Sequence, residues 1–199
     1  MITMSSSQRI DPRVLRTRQL IRDAFIELLQ EIELERITVN RIAERATINR
    51  VTFYLHYRDI PHMLERLADD MVNNIHAILK EIPNPPGFNM QIMVKMLDHI
   101  AENSKFYKVL LASKRIPIFT ERLMKLIADF ITNRMDKLEA SSTLNIQKDI
   151  AIWYGSSAII GTIVCWLRND LPYTPLFLAT QLSEMLHMSQ SDSKHNPEK

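Results

Sequence analysis

Several side chains in the segment RVTFYLH, residues 50–56, are of types that contact the base edges and phosphates of DNA. An arginine can bind guanine or a phosphate, and the methyl groups of valine and threonine suit the methyl group of thymine. Tyrosine and histidine can donate hydrogen bonds to phosphate oxygens. On a helix, Phe53 would point inward together with Tyr57. The side chains that we then expect to face outward are Arg50, Val51, Thr52, Tyr54 and His56.

A helical pattern and a turn precede this segment and would hold it in place. Small apolar residues recur there at spacings of three and four, which predicts one packed helix face. They are Val39, Ile42, Ala43 and Ala46. Thr38 stands at the N-cap, where its hydroxyl can cap a free amide beside a site for a phosphate oxygen. Asn49 can cap a second helix over about 50–56, and a third opens at Asp59. Two short helices with a tight turn between them predict a helix-turn-helix, which points to DNA.

The pattern T-V-x-x-I-A-x-x-A, followed by T-F-Y-x-H-Y and D-I-P-x-M-L, resembles the DNA-binding domain of the tetracycline-repressor (TetR) family. The resemblance covers about residues 14–68 and implies that Phe53 and Tyr57 hold the motif together. It also implies DNA contacts by Thr38, Arg50, Val51, Thr52, Tyr54 and His56. The chain departs from the family in two places. Thr47 stands in the turn where glycine is frequent, and Ile60 stands where a phosphate-binding lysine is common.

Arginine is distributed unevenly along the first third of the chain. Residues 9–22 and residues 36–58 each hold five arginines against one acid, whereas residues 23–35 hold five acids and no base. Positive charge therefore collects at the start of the first helix and on the helix-turn-helix, while the acidic face should look away from phosphate. The exclusive use of arginine fits bidentate contacts to phosphate and guanine, although some of these arginines are expected to pair within the domain.

Composition and periodicity predict an all-α fold. The chain has 199 residues, of which 46% are hydrophobic and only three are glycine. We expect a three-helix helix-turn-helix DNA-binding domain over 1–60, with a loose N-terminal arm over 1–10. A helical regulatory and dimerisation domain over 61–188 and a frayed tail over 189–199 follow, giving about nine helices in all. Beyond a fourth helix over 61–81, the predicted helices span 89–103, 104–114, 117–139, 146–168 and 174–188.

The segment IAIWYGSSAIIGTIVCWL, residues 150–167, contains no charge. Its length would barely cross a bilayer, and its hydroxyl residues and glycines lower its hydrophobicity, so membrane anchoring is a minor alternative. Small residues at spacings of four, three and four favour a seam at which two helices approach closely. The seam consists of Ala151, Gly155, Ala158 and Thr162, with Trp166 on the adjoining face. We therefore expect a buried helix of the core or of a dimer interface.

A second resemblance lies in NSKFYKVLLASK, from Asn103, and WYGSSAIIGTIVCWLRNDLPYTP, from Trp153. Both stretches are similar to the regulatory C-terminal domain of TetR relatives from Gram-positive bacteria. The similarity implies that helices 146–168 and 174–188 pair with their mates across a two-fold axis. A homodimer of this kind would read a palindromic operator in double-stranded DNA.

The regulatory half shows weaker signals of a ligand. An adaptable apolar pocket could be lined by Met93, Met96, His99, Phe106 and Met124, although the helical spacing of the methionines favours core filling. The histidines show no spacing typical of a metal site, and no cofactor is indicated. No glycine-rich phosphate loop or nucleophile with a base is present, so an enzyme is not indicated. The single cysteine and the absence of a signal peptide fit the cytoplasm.

These features together predict a TetR-like transcriptional regulator. We expect a homodimeric repressor that an effector, for instance a small apolar molecule, releases from DNA by binding in the C-terminal domain. The alternative is a regulator or activator that a protein partner controls instead of a small ligand. A saturable ligand that releases DNA would favour the first, and co-purification of a stoichiometric foreign protein would favour the second.

Overall fold

The computed structural model describes residues 11–81, 89–112, 116–138 and 147–191. These residues form nine α-helices, one short 3-10 helix and no strand, which confirms the all-α prediction. The predicted arm over 1–10 lies outside the described residues, as does most of the predicted tail. The chain divides into two compact units, Met1–Leu67 and Ala68–Lys199, and the division falls inside the fourth helix. The domain limits that we set at 60 and 61 remain a prediction.

The first unit contains α1 (Pro12–Glu31), α2 (Val39–Arg45), α3 (Arg50–His56) and the start of α4 (Ile60–Glu81), with a 3-10 helix at Leu34–Arg36. Side-chain caps start α1, α2 and α3. The Asp11 carboxylate accepts from the amide of Arg13 at 2.8 Å, and the Thr38 hydroxyl oxygen accepts from the amide of Arg41 at 3.3 Å. The Asn49 side chain accepts from the amide of Val51 at 2.8 Å. The caps predicted at Thr38 and Asn49 are therefore present.

The turn between α2 and α3 closes with two backbone hydrogen bonds. The amide of Ile48 donates to the carbonyl of Ala43 at 2.9 Å, and the amide of Thr47 donates to the carbonyl of Glu44 at 3.1 Å. This pattern is a Schellman motif, whose closing residue adopts a left-handed conformation. Thr47 takes that position with φ of 54°. A left-handed residue other than glycine costs about 1–2 kcal/mol, so the turn is strained as its sequence predicts.

Aromatic and aliphatic side chains fill the centre of the first unit. Phe25, Ile42 and Phe53 are each fully buried, and they come from α1, α2 and α3. Burial of these side chains draws the three helices together, and α2 and α3, with seven residues each, are too short to be stable in isolation. The packed centre thereby fixes which face of α3 remains in solvent.

The second unit contains the rest of α4 and five further helices. They are α5 (Met90–Glu102), α6 (Ser104–Ala112), α7 (Pro117–Leu138), α8 (Lys148–Arg168) and α9 (Pro175–Ser191). α8 packs against α6 and α7, and α9 packs against α5. Apolar side chains from these helices form its core, including Leu97, Ile100, Tyr107, Leu110, Phe119, Leu123 and Ile163.

α8 ends in a second Schellman motif. The amide of Leu171 donates to the carbonyl of Trp166 at 3.0 Å, and Asp170 and Leu171 have φ of 55° and 53°. The indole N–H of Trp166 donates to the carbonyl of Tyr173 at 3.0 Å. This bond ties the end of α8 to the segment that leads into α9.

Among the described residues, α8 is the one helix that is long and apolar enough, by length and composition, to cross a membrane. The core helices of soluble proteins also pass this test.

Candidate functional site

α3 presents one face to its own domain and the other to solvent. Phe53 is 0% exposed and Tyr57 is 3% exposed, and their ring centroids lie 5.6 Å apart. The Tyr54 ring meets the Phe53 ring edge-on at 5.7 Å. The inward face that we predicted for Phe53 and Tyr57 is therefore present, and it sets the rotation of α3 about its axis.

The outward face of α3 carries a paired arginine and tyrosine. The Arg50 guanidinium donates to the Tyr54 hydroxyl oxygen through Nη2 at 3.0 Å and through Nε at 3.3 Å. Its Cζ lies 5.4 Å from the centroid of the Tyr54 ring. Since the tyrosine oxygen accepts from the arginine, its own O–H can donate elsewhere. The two side chains thus form one polar unit with donors directed at solvent.

The remaining predicted contacts lie around this pair. Val51 is exposed, while Thr52 and His56 are half-buried. Partial burial, and secondarily the positive charge of Arg18, lower the pKa of the His56 imidazole below its ordinary value. The lowered pKa favours the neutral imidazole, which retains one N–H donor. Thr38 is exposed at the start of α2, and its oxygen already accepts from the Arg41 amide, which leaves its O–H to donate.

Leu55 belongs to the outward face, although our sequence interpretation did not select it. Its side chain is 78% exposed, more than any other large apolar side chain in the described part of the chain, and Val51 is 65% exposed one turn away. The spacing of four between these residues is a signal that could have found it, because residues i and i+4 share a helix face. The residue type alone does not identify this position, because leucine ordinarily indicates a buried side chain.

Arg45, one of the five arginines in residues 36–58, forms ion pairs within the first unit. Arg45 donates to the two carboxylate oxygens of Glu31 at 2.8 and 2.7 Å and to Glu27 at 3.3 Å. The hydrogen bond from Arg45 lowers the pKa of Glu31. The expected intradomain pairing thus involves Arg45, while Arg36, Arg41, Arg50 and Arg58 are exposed.

Apolar and aromatic side chains also lie exposed on α8 and α9. On α8, Ile150, Trp153 and Tyr154 are 53%, 64% and 72% exposed. On α9, Leu176, Phe177 and Met185 are 60%, 49% and 64% exposed. We call these six residues the exposed apolar rows. Aromatic side chains left in water at this density are typical of a surface that another chain covers.

The five residues predicted for an interface on α8 lie in different environments within the single chain. A Cβ added to Gly155 would lie 3.0 Å from Cδ1 of Ile131, so Gly155 packs against α7 of the same chain. Trp166 is 3% exposed, so its side chain is buried within its own chain. Ala151 and Thr162 are half-buried, and Ala158 alone of the five is exposed. Spacing identified residues that share a helix face, but it did not reveal which neighbouring helix covers that face.

The predicted pocket residues also differ from one another in burial. Met93, Met96 and Phe106 are buried in the core of the second unit, whereas Met124 is 37% exposed on α7. His99 is half-buried, and its Nε2 lies 3.0 Å from the Tyr107 hydroxyl. Burial lowers the pKa of His99, against a smaller opposing effect of the Glu102 carboxylate. Tyr107 is 1% exposed, so this contact joins a half-buried imidazole to a buried hydroxyl. Within the described ranges, His, Cys, Asp and Glu side chains form no group of three that could hold a metal ion.

The comparisons with known proteins concern both units. Residues 89–188 match the family TetR_C_8, described as "Transcriptional regulator C-terminal region". The uncharacterized HTH-type transcriptional regulator YxbF of Bacillus subtilis (strain 168) is 24% identical over 187 residues. That alignment covers 92% of this chain and 48% of YxbF, so the chain spans about half the length of that relative.

Two solved structures show the same fold. The TetR transcriptional regulator from Streptococcus agalactiae 2603V is 26% identical with a TM-score of 0.58, and the alignment covers 85% of this chain and 96% of that one. The fatty acid degradation regulator FadR from Bacillus halodurans is 16% identical with a TM-score of 0.67, over 90% and 96% of the two chains. The family match, with the helix-turn-helix geometry of the first unit, shows that this chain belongs to the TetR family of transcriptional regulators.

Proposed function

We propose that the chain is a cytoplasmic homodimeric repressor that binds a palindromic operator and leaves it when an effector binds in the second unit. The observation that carries the proposal is the outward face of α3. There Arg50 and Tyr54 form a hydrogen-bonded pair of donors, with the apolar side chain of Val51 beside them. Such a face combines groups for phosphates, base edges and thymine methyl groups on one helix.

The proposed contacts divide by chemistry. Arg50 and Val51 lie at the start of α3 and would contact base edges in the major groove, as would Thr52. Donors that would reach phosphate oxygens are the hydroxyls of Thr38 and Tyr54 and the N–H of His56. The phosphate contacts position the helix, and the base contacts select the sequence.

The exposed apolar rows support the proposed dimer. α8 and α9 each leave aromatic side chains in solvent, and pairing across a two-fold axis would cover both helices at once. A two-fold axis also relates two copies of α3. A dimer whose recognition helices stand about 34–36 Å apart would meet successive major grooves, which requires an inverted repeat in the DNA.

The contact between half-buried His99 and buried Tyr107 supports the proposed effector site. An imidazole and a hydroxyl next to the apolar core of the second unit can orient a ligand that is mostly apolar but carries one polar group. An effector that prefers a conformation with the wrong spacing of the recognition helices would weaken DNA binding. The loss equals the difference between the affinities of the effector for the two conformations.

Selection of bound duplexes from a random DNA pool, at two salt concentrations, tests the proposal. We expect enrichment of an inverted repeat whose binding weakens steeply with salt, because each phosphate contact releases counterions. Arg50→Ala should then weaken binding by about 1–3 kcal/mol for each half-site. Arg66→Ala, which removes an exposed arginine on α4, is the matched control and should change affinity little. If no sequence is enriched at either salt concentration, the operator-binding function is wrong.

The two described glycines of α8 offer a matched pair for the proposed interface. Gly155→Leu should destabilise the second unit by about 1–3 kcal/mol through overpacking, because its Cβ would stand against Ile131. Gly161 has nothing within 4 Å of an added Cβ, so Gly161→Leu should leave the fold intact and weaken the dimer at least about tenfold. Both substitutions replace glycine by leucine within α8, so the stability gained from higher helix propensity is the same in the two variants and cancels when they are compared.

Chemical denaturation and analytical ultracentrifugation separate these two effects. The expected result is a lower unfolding midpoint for Gly155→Leu and a larger fraction of monomer for Gly161→Leu. A Gly161→Leu variant as dimeric as the wild type would show that this side of α8 does not meet the partner subunit.

A further inference from the structure

Leu55 combines high exposure with a position on the recognition helix. At 78% exposed, its side chain leaves nearly all of its apolar surface in water, and Val51 beside it leaves 65%. The two lie one helical turn apart and form a small apolar strip on α3. Covering such a strip releases the water around it, so the strip favours an apolar group in whatever binds there.

The surroundings of the strip identify its occupant. Arg50 and Arg58 are exposed at either end of α3, and the hydroxyl of Tyr54 lies beside the strip. These basic and polar groups around the strip favour a polyanionic partner over a protein partner with an apolar groove. α3 has seven residues, about 10 Å of helix, and the major groove of B-DNA is about 12 Å wide. The C5-methyl group of thymine is the apolar group that base pairs expose in that groove.

We propose that Leu55, supported by Val51, reads the C5-methyl group of a thymine in each operator half-site. Leu55 is then a specificity-determining residue that discriminates thymine from cytosine without a hydrogen bond. The inference rests on the proposed operator binding, and it assigns a base preference to a side chain with no polar atom.

Uracil substitution provides a test that changes one methyl group and leaves every hydrogen-bonding edge of the base pair intact. The probe is the duplex enriched by the wild-type chain, with each thymine of a half-site replaced in turn by deoxyuridine. At the thymine that Leu55 contacts, we expect binding to weaken about fourfold, and about fifteenfold when both half-sites are changed. Fluorescence anisotropy at fixed salt measures these ratios.

The decisive comparison repeats the scan with Leu55→Ala, which should bind thymine and uracil equally at that position. Leu55→Met keeps an apolar side chain there and should retain the discrimination. Leu20→Ala removes a 41% exposed leucine of α1 and is the matched control, with the wild-type response expected. All three changes lie at exposed positions, where substitutions cost little stability.

Two results would overturn the inference while leaving operator binding intact. One is a wild-type protein that binds an enriched operator but is indifferent to uracil at every thymine. The other is a Leu55→Ala variant that discriminates as strongly as the wild type, which would assign the methyl contact to another residue. A pool from which the wild type enriches nothing would reject both the inference and the proposed function.

Discussion

Tyr154→Glu is expected to turn the dimer into monomers that remain folded. Tyr154 is 72% exposed on α8 of the single chain, next to Trp153 at 64%, so the substitution does not disturb the core. In a dimer that covers these rows, the glutamate would be buried without a partner, at a cost of several kcal/mol. The two-fold axis places two copies in one interface. We therefore expect the dissociation constant of the dimer to rise about a thousandfold or more.

Sedimentation equilibrium over a range of concentrations, with circular dichroism as a check of the fold, measures this effect. Met124→Glu is the matched control, because Met124 is also an exposed apolar residue of the second unit but lies on α7. The control should remain dimeric. If Tyr154→Glu remained dimeric at the same concentrations as the wild type, the exposed row of α8 would not be part of the dimer interface.

Phe53→Ala is expected to abolish operator binding by unfolding the first unit. Phe53 is 0% exposed, and its ring contacts those of Tyr54 and Tyr57. Truncation of a buried phenylalanine to alanine costs about 3–5 kcal/mol, a large part of the stability of a small unit. The exposed rows belong to the second unit, so the dimer should persist in this variant.

Denaturation followed by circular dichroism, together with binding to the enriched duplex, tests this expectation. Val51→Ala is the control for folding, because Val51 is 65% exposed on the same helix and should change the unfolding free energy by less than about 0.5 kcal/mol. A Phe53→Ala variant with wild-type stability would contradict the packing that orients α3.

Local signals explain why most helix positions were predictable from the sequence. Thr38 and Asn49 are polar caps next to apolar periodicity, and both accept the amide hydrogen bonds that their positions predict. Pro117 and Pro175 likewise begin α7 and α9. Each signal acts within a few residues, so no knowledge of distant contacts is needed to interpret it.

Long-range packing explains what the sequence did not reveal. Gly155 has the composition of an interface residue, but Ile131, which lies 24 positions earlier in the chain, covers it. Arg45 has the charge of a phosphate contact, but Glu31 and Glu27 of α1 bind it. Leu55 has the side chain of a core residue, but α3 turns it to solvent. In each case the environment of the side chain depends on how its helix packs against other elements.

The two tryptophans of the chain lie in opposite environments. Trp166 is buried and hydrogen bonded to the Tyr173 carbonyl, whereas Trp153 is 64% exposed in the row on α8. Water relaxes around an excited indole and shifts its emission to longer wavelength, so Trp153 should emit further to the red than Trp166. Covering Trp153 with a partner subunit would move its emission toward the blue, while Trp166 would stay constant as an internal reference. The unlabelled protein thus carries an optical reporter of its own association.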